Sequence, residues 1–259
     1  MLIGGIIALA LAVGAYFLWR HQRGSLKEMT LAETLTAGDL TSLASAAAEA
    51  AGAGAFSHRC ELVGVAQAGP QGPAKAPESG EECVWYRTQV TEHYWEWDRD
   101  SDGDRRRVER TRTIAEHESE EAFVLEDDTG RVTLDPRDAD LDHPVKVLDR
   151  LDRDQPASRG GGILETLAQG VFDWGDRTIG LEREEWIVRP GQRLYVLGEA
   201  HDAAGALGMR KGEGGRYVIS LRSEEDLKRS AGRWATASLV ATVVLGVAGL
   251  ALVVAGLVA

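Results

Sequence analysis

Cysteine is scarce: Cys60 and Cys83 are the two in 259 residues. A RING or other zinc module is framed by paired C-x2-C ligands, so two cysteines and six scattered histidines exclude one within these residues. Nor do two thiols fix the compartment, since they would stay reduced in the cytoplasm and could pair on an oxidising side. Positive charge is also in deficit. The formal net charge is −12, which argues against a nucleic-acid partner, because phosphate binding needs clustered positive charge. Missing as well are G-x-S-x-G, H-E-x-x-H and a phosphate-binding glycine loop; Gly160-Gly161-Gly162 has no following lysine. The expectation is no catalytic residue and no cofactor.

Charge is absent from both ends, since every charged side chain lies between Arg20 and Arg233. Leu2 to Trp19 is one apolar run and Trp234 to Ala259 another. At 1.5 Å per residue the first covers roughly 27 Å, near the thickness of a bilayer's hydrocarbon core. It lacks a basic leader and a small-x-small cleavage site, so a signal peptide is the poorer account. The pattern predicts transmembrane helices over 2–19 and 234–258, a juxtamembrane helical segment over 20–57, a β-rich domain over 58–222 and a linker over 223–233. Arg20, Arg23 and Lys27 follow the first run, and Lys228, Arg229 and Arg233 precede the second. The positive-inside rule then puts the central domain in the cytoplasm and both termini outside. The bilayer is thus one expected partner and an unknown protein another. A homo-oligomer is left open, Ala237 and Ala241 being small residues suited to helix pairing.

The centre is organised around Phe123 to Pro136, FVLEDDTGRVTLDP. Two alternating apolar runs flank a turn of Asp, Thr and Gly, which predicts a β-hairpin burying Phe123, Leu125, Val132 and Leu134. Leu31 to Ala51 predicts one or two short helices, with Thr30 and Glu33 as a capping box and Gly52 as a stop. Cys83 to Trp97, rich in β-branched and aromatic residues, predicts a strand, with Arg107 to Glu116 returning beside it. Ile163 to Trp174 predicts a short amphipathic helix. Glu184 to Gly198 predicts a second hairpin across Pro190-Gly191, the dipeptide of a type II turn. Tyr217 to Leu221 is the last expected strand, and Ser223 opens the helix into the membrane. The fold class expected is membrane-anchored and mainly β, built of antiparallel hairpins with short helices and flanked by two transmembrane helices.

One stretch matches a metal motif. Asp98, Asp100 and Asp102, then Gly103 and Glu109, fit the calcium-loop pattern D-x-D-x-D-G-x5-E. Its flanks read as strands rather than helices, and Arg105, Arg106 and Arg107 stand where a cation would sit, so a solvated hairpin turn is expected there. Cys83 lies in an apolar stretch that would leave its thiol inert. His93 and His117 are placed to face each other across the aromatic hairpin, a pair too small to make a site. Trp85, Tyr86, Tyr94, Trp95 and Trp97 would fill a β core or mark an interaction face.

Three stretches together resemble the membrane-adjacent domain of GIDE-type mitochondrial E3 ubiquitin ligases: Ser79 to Arg87, Phe123 to Pro136, and Glu184 to Ala200. The run Ile219 to Ser223 before the second apolar stretch is similar too, and so is the order of helix, β-rich domain and helix. In that family a RING after the second span recruits the ubiquitin-loaded enzyme. The resemblance therefore implies ubiquitin transfer, and with this chain stopping at Ala259 the RING would come from another chain. It also implies a domain facing the intermembrane space, against the cytoplasmic side that the charges indicate.

Overall fold

The computed structural model describes residues 2–99, 104–153, 178–202, 206–213 and 215–258. In chain order, helix α1 (Leu2–Leu31) leads to strand β1 (Glu33–Leu35) and helix α2 (Ala37–Ala51). Strands β2 (Ser57–Gln67), β3 (Ala74–Lys75), β4 (Glu82–Cys83), β5 (Trp85–Arg99) and β6 (Arg105–Glu118) follow. Next come β7 (Phe123–Asp127), β8 (Gly130–Leu134), β9 (Asp140–Asp142) and β10 (Val145–Asp152). The described chain ends with β11 (Thr178–Val188), β12 (Arg193–His201), β13 (Gly208–Arg210), β14 (Val218–Ser220) and helix α3 (Glu224–Val258). The expected helix over Ile163 to Trp174 lies outside the described residues.

Two β bodies share one chain. Strands β2, β7, β8, β13 and β12 pair in that order and β12 pairs back onto β2, closing a five-stranded barrel. Closure satisfies backbone groups that an open sheet would leave on its edges. The interior takes the apolar positions that alternate along each strand: Leu62, Phe123, Leu125, Val132, Leu134, Leu194, Val196 and Met209 are all buried. The expected hairpin is β7 with β8, and its four predicted inward residues are the ones buried.

That hairpin's turn also starts α2. Asp127 Oδ1 accepts from the Thr129 and Gly130 amides at 2.7 and 3.0 Å, while Oδ2 accepts from the Ala37 amide at 2.8 Å. Thr129 Oγ1 accepts from the Gly38 amide at 2.8 Å, and Thr36 Oγ1 from that of Asp39 at 3.1 Å. The first amides of a helix have no partner within it, and here the hairpin supplies them. The capping box is thus Thr36 with Asp39, not Thr30 with Glu33. Thr30 is still in α1 and Glu33 is already in β1, which pairs with β2. Leu40 of α2 is fully buried against the barrel. The segment 20–57 is therefore not simply juxtamembrane helix, since its second half belongs to the β domain. Gly52 ends α2 as expected, with φ +93° and its amide on the Ala48 carbonyl at 2.9 Å.

The second body is a four-stranded arm, ordered β10-β11-β5-β6. Here the sequence expectation fails in one place. Residues 184–198 do not form a hairpin, because β11 pairs with β5 and β10 whereas β12 pairs with β2. The turn itself is as predicted. Gln192 N–H donates to Arg189 C=O at 3.3 Å, and Gly191 holds φ +85°, the position a type II turn reserves for glycine. Hydrogen bonds of 2.8 Å from Gly191 N–H to Ala66 C=O, and from Ala66 N–H to Gln192 C=O, clamp it to β2. So the turn carries the chain from one sheet into the other rather than back along the first.

Helices α1 and α3 pack antiparallel. A Cβ on Gly5 would lie 2.7 Å from Val253 Cγ2 and 2.9 Å from the Val253 amide nitrogen, so the backbones approach closely there. Thr236–Gly256 within α3 is 21 residues of mean hydropathy 2.5, long and apolar enough to cross a membrane. The matching stretch of α1, Ile3–Phe17, is shorter and falls below that length. Among the described residues one helix is thus a candidate span, where two were expected. The expected linker over 223–233 is helical from Glu224 and continuous with that apolar stretch, capped by Ser223 Oγ accepting from the Asp226 amide at 3.2 Å.

Candidate functional site

The arm has two unlike faces. Residues opposite one another in an antiparallel pair share a face, and alternate residues change it. One face turns Val90, Leu181 and Ile187 inward with the buried carboxylates Glu92 and Glu185. Glu185 is fully buried and holds a loop: its Oε1 accepts from the Glu78 amide at 2.9 Å and its Oε2 from the Ser79 amide at 2.8 Å. Glu92 accepts from Arg112 Nε at 2.5 Å and from Thr178 Oγ1 at 2.8 Å, tying β5 to β6 and β11.

The other face is open and carries rings beside cations. Arg87 sits 4.6 Å from the Trp186 ring centre, and Lys146 Nζ 5.4 Å from it. Farther out, Arg107 lies 5.9 Å from the Trp95 ring and 5.5 Å from that of Trp97. Trp97 is 60% exposed. Between them His93 bridges three strands, with Nδ1 2.9 Å from Glu109 Oε1 and Nε2 3.0 Å from Glu182 Oε2. Hydrogen bonding to Glu109, then to Glu182, raises the imidazole pKa above its ordinary value. Exposed rings flanked by guanidinium groups are common at protein interfaces.

The expected site residues scatter over this arm. Trp85 is not on the surface; it is 1% exposed and fills the barrel core. His93 and His117 do not face each other. The register puts Thr111 opposite His93 and Thr88 opposite His117, and the His117 ring meets the Tyr86 hydroxyl at 3.3 Å. Of the calcium pattern, Asp100 and Asp102 lie outside the described residues. Asp98 pairs with Arg106 across the hairpin and Glu109 with Trp95, so these two carboxylates fall on opposite faces. Asp98 meets Arg110 at 3.4 Å, and Glu109 engages His93. Both cysteines are free and fully buried. Burial pushes the Cys60 thiol up to about 12 and that of Cys83 to about 11, so neither is poised as a nucleophile at neutral pH.

Several residues here escaped sequence reasoning, among them Glu182, Glu185, Trp186 and Lys146. Asp149, Glu182 and Glu184 bring carboxylate oxygens within 4.8 Å of one another. Their charge is already answered: Lys146 Nζ lies 2.5 Å from both Asp149 and Glu184, and His93 takes Glu182. The trio is an ion-pair network. Its strand β11 showed in the sequence only from Glu184 onward, and charged β10 gave no strand signal, so nothing marked their juxtaposition.

No curated protein and no solved structure matches the chain. A family model does. The model for GIDE, described as E3 ubiquitin ligase, matches residues 92–255, from the ring-bearing part of β5 through four of the five barrel strands and into the apolar helix, with β2 outside it. Of the stretches that carried the resemblance, Phe123 to Pro136 and Glu184 to Ala200 lie inside this range and Ser79 to Arg87 just before it. The match takes in more than half of the residues, and the chain belongs to the GIDE family of E3 ubiquitin ligase domains.

Proposed function

We propose that this is a two-span membrane protein whose β domain, on the cytoplasmic side, is the interaction module, scaffold or sensor of a ubiquitin-ligase-type assembly. The observation that carries the reading is the open arm face, where Trp95, Trp97 and Arg107 stand exposed or half-exposed on the sheet. Support for the membrane part comes from α3 and from its antiparallel packing with α1, which brings two largely apolar helices out of the domain side by side. Support for the orientation comes from the basic residues at the domain ends of both helices. The family description favours a second reading, in which the chain is itself a component of a ubiquitin-transferring ligase.

A photoreactive residue in place of Trp97, in the full chain in intact membranes, tests these readings. Capture of a specific cytoplasmic protein supports the scaffold reading. Capture of a RING protein or of a ubiquitin-loaded enzyme supports the second. Labelling of lipid alone, or from the far side of the membrane alone, overturns both. Trp85 serves as the control, since a buried position captures nothing.

A further inference from the structure

The arm ends in an edge strand, and Pro136, Arg137 and Asp138 line a hollow beside its Glu116 to Glu118 end. Strand β6 is the last of its sheet, 14 residues long, and among the described residues no strand pairs with its outer side. Such an edge is a template for another strand. The register fixes which residues present their amides and carbonyls outward. Ser119 N–H donates to Tyr86 C=O at 2.9 Å, so Tyr86 and the even-numbered residues after it on β5 direct their backbone groups toward β6. Their partners on β6 point inward. Pointing outward are Arg105, Arg107, Glu109, Thr111 and Thr113 and, beyond the bulge between Thr113 and Ala115, Glu116 and Glu118. All of these are exposed. Their side chains share the open face with His93 and Trp97.

Along this outward row the arginines come first and the last two glutamates come at the end. An antiparallel copy of the same strand reverses that order. We propose that β6 pairs antiparallel with β6 of a second copy of this chain about a twofold axis at Thr111, joining two arms into one continuous sheet. Thr111 then meets Thr111 of the second copy, and Glu109 meets Thr113. Past the bulge, Arg107 meets Glu116 and Arg105 meets Glu118, each pair occurring twice. Opposite charges directly across a strand pair are stabilising and like charges destabilising.

Two other registers fail on charge. Centring on Glu109 sets that carboxylate against itself, and centring on Thr113 sets Glu109 against Glu118. The Thr111 register does bring Arg110 across from Arg112, on the other face. Both are already answered within their own chain, Arg110 by Glu96 at 3.3 Å and Asp98 at 3.4 Å, and Arg112 by Glu92 at 2.5 Å. Isologous pairing of this kind closes on itself, so the expected product is a dimer and not a fibre.

Charge reversal in the full chain, purified in detergent micelles, tests the pairing. Arg107→Glu and Glu116→Arg each set two like-charged contacts in a homodimer and weaken it by about tenfold or more. An equimolar mixture of the two single variants restores the dimer as a heterodimer, and the double variant restores it as a homodimer. Thr111→Cys links to itself under mild oxidation, because opposed residues of a hydrogen-bonded pair hold Cα atoms at about 5.5 Å, inside disulfide range. Thr113→Cys, facing Glu109, does not, and the buried Cys60 and Cys83 stay silent. Loss of dimer in the double variant equal to that in the singles overturns the pairing. So does equal linkage at 111 and 113, a monomeric wild type, or an acidic peptide of another sequence taking the edge while the chain stays single.

Discussion

Buried carboxylates decide most at the scale of single residues. Glu185 is fully enclosed and accepts from two loop amides. Replacing it by alanine strands both, and a buried unmet donor costs about 1–3 kcal/mol. We therefore expect Glu185→Ala to lose roughly 3 kcal/mol of unfolding free energy in a urea titration, with Glu185→Gln, which keeps one acceptor, losing less. Equal losses would refute the bidentate role. His93 gives a second prediction, set by pH. Its pKa is raised by Glu109 and Glu182, so its stabilising contribution is complete below the unfolded value of about 6.5 and fades as pH rises through the folded one. The stability difference between wild type and His93→Gln should accordingly shrink on going from pH 6 toward alkaline solution. An NMR titration placing His93 at or below the ordinary imidazole value would sink this account.

Among the elements, the hairpin of β7 and β8 does two things at once, because its turn both reverses the chain and caps α2. Burial opposes the charge on Asp127, but bonds from Thr129, Ala37 and Gly130 outweigh it and hold its carboxyl below the usual aspartate range. Asp127→Ala should cost about 1–2 kcal/mol, the usual range for a lost helix cap. For a lowered pKa, the stabilisation is present above the unfolded value and disappears as pH falls through the folded one, so the difference from wild type should close in acid. A difference that persists to the lowest accessible pH would show that the carboxylate charge is not what caps the helix. This hairpin was legible in the sequence because local alternation and turn chemistry sit within a dozen residues. The turn at Pro190-Gly191 was legible for the same reason. Which sheet receives β12 was not, since that depends on pairing with β2 from far along the chain. Strands β9, β10 and β13 were missed because VKVLDRLD interleaves charge with apolar residues on both faces and the others are three residues long. The arm's bridging histidine was singled out but matched with His117, because its two carboxylate partners, Glu109 and Glu182, lie on different strands.

At the scale of the whole molecule, one domain is held by both of its ends. Strand β1 follows α1 directly and β14 precedes α3, so the geometry of the helix pair sets how the barrel is presented. The pair is fixed where Gly5 meets Gly249 and Val253, with the Gly249 carbonyl 3.0 Å from where a Cβ on Gly5 would sit. Between apolar helices in lipid there is little hydrophobic drive, so close packing at small residues matters most. Gly14 in the same helix has nothing within 4 Å of such a Cβ. We expect Gly5→Leu to push the helices apart and Gly14→Leu to leave them in place. Spin labels on Ile3 and Val254, which are exposed at 76% and 53%, would read this as a longer distance in the first variant alone, in membranes. If neither variant moves the labels, the barrel rather than the glycine contact sets the spacing, and the two helices are simply its tethers. If both move them, the packing is a diffuse apolar contact with no privileged position. A shift confined to Gly5→Leu makes the crossing a joint with one privileged contact, which sets how the two helices leave the barrel.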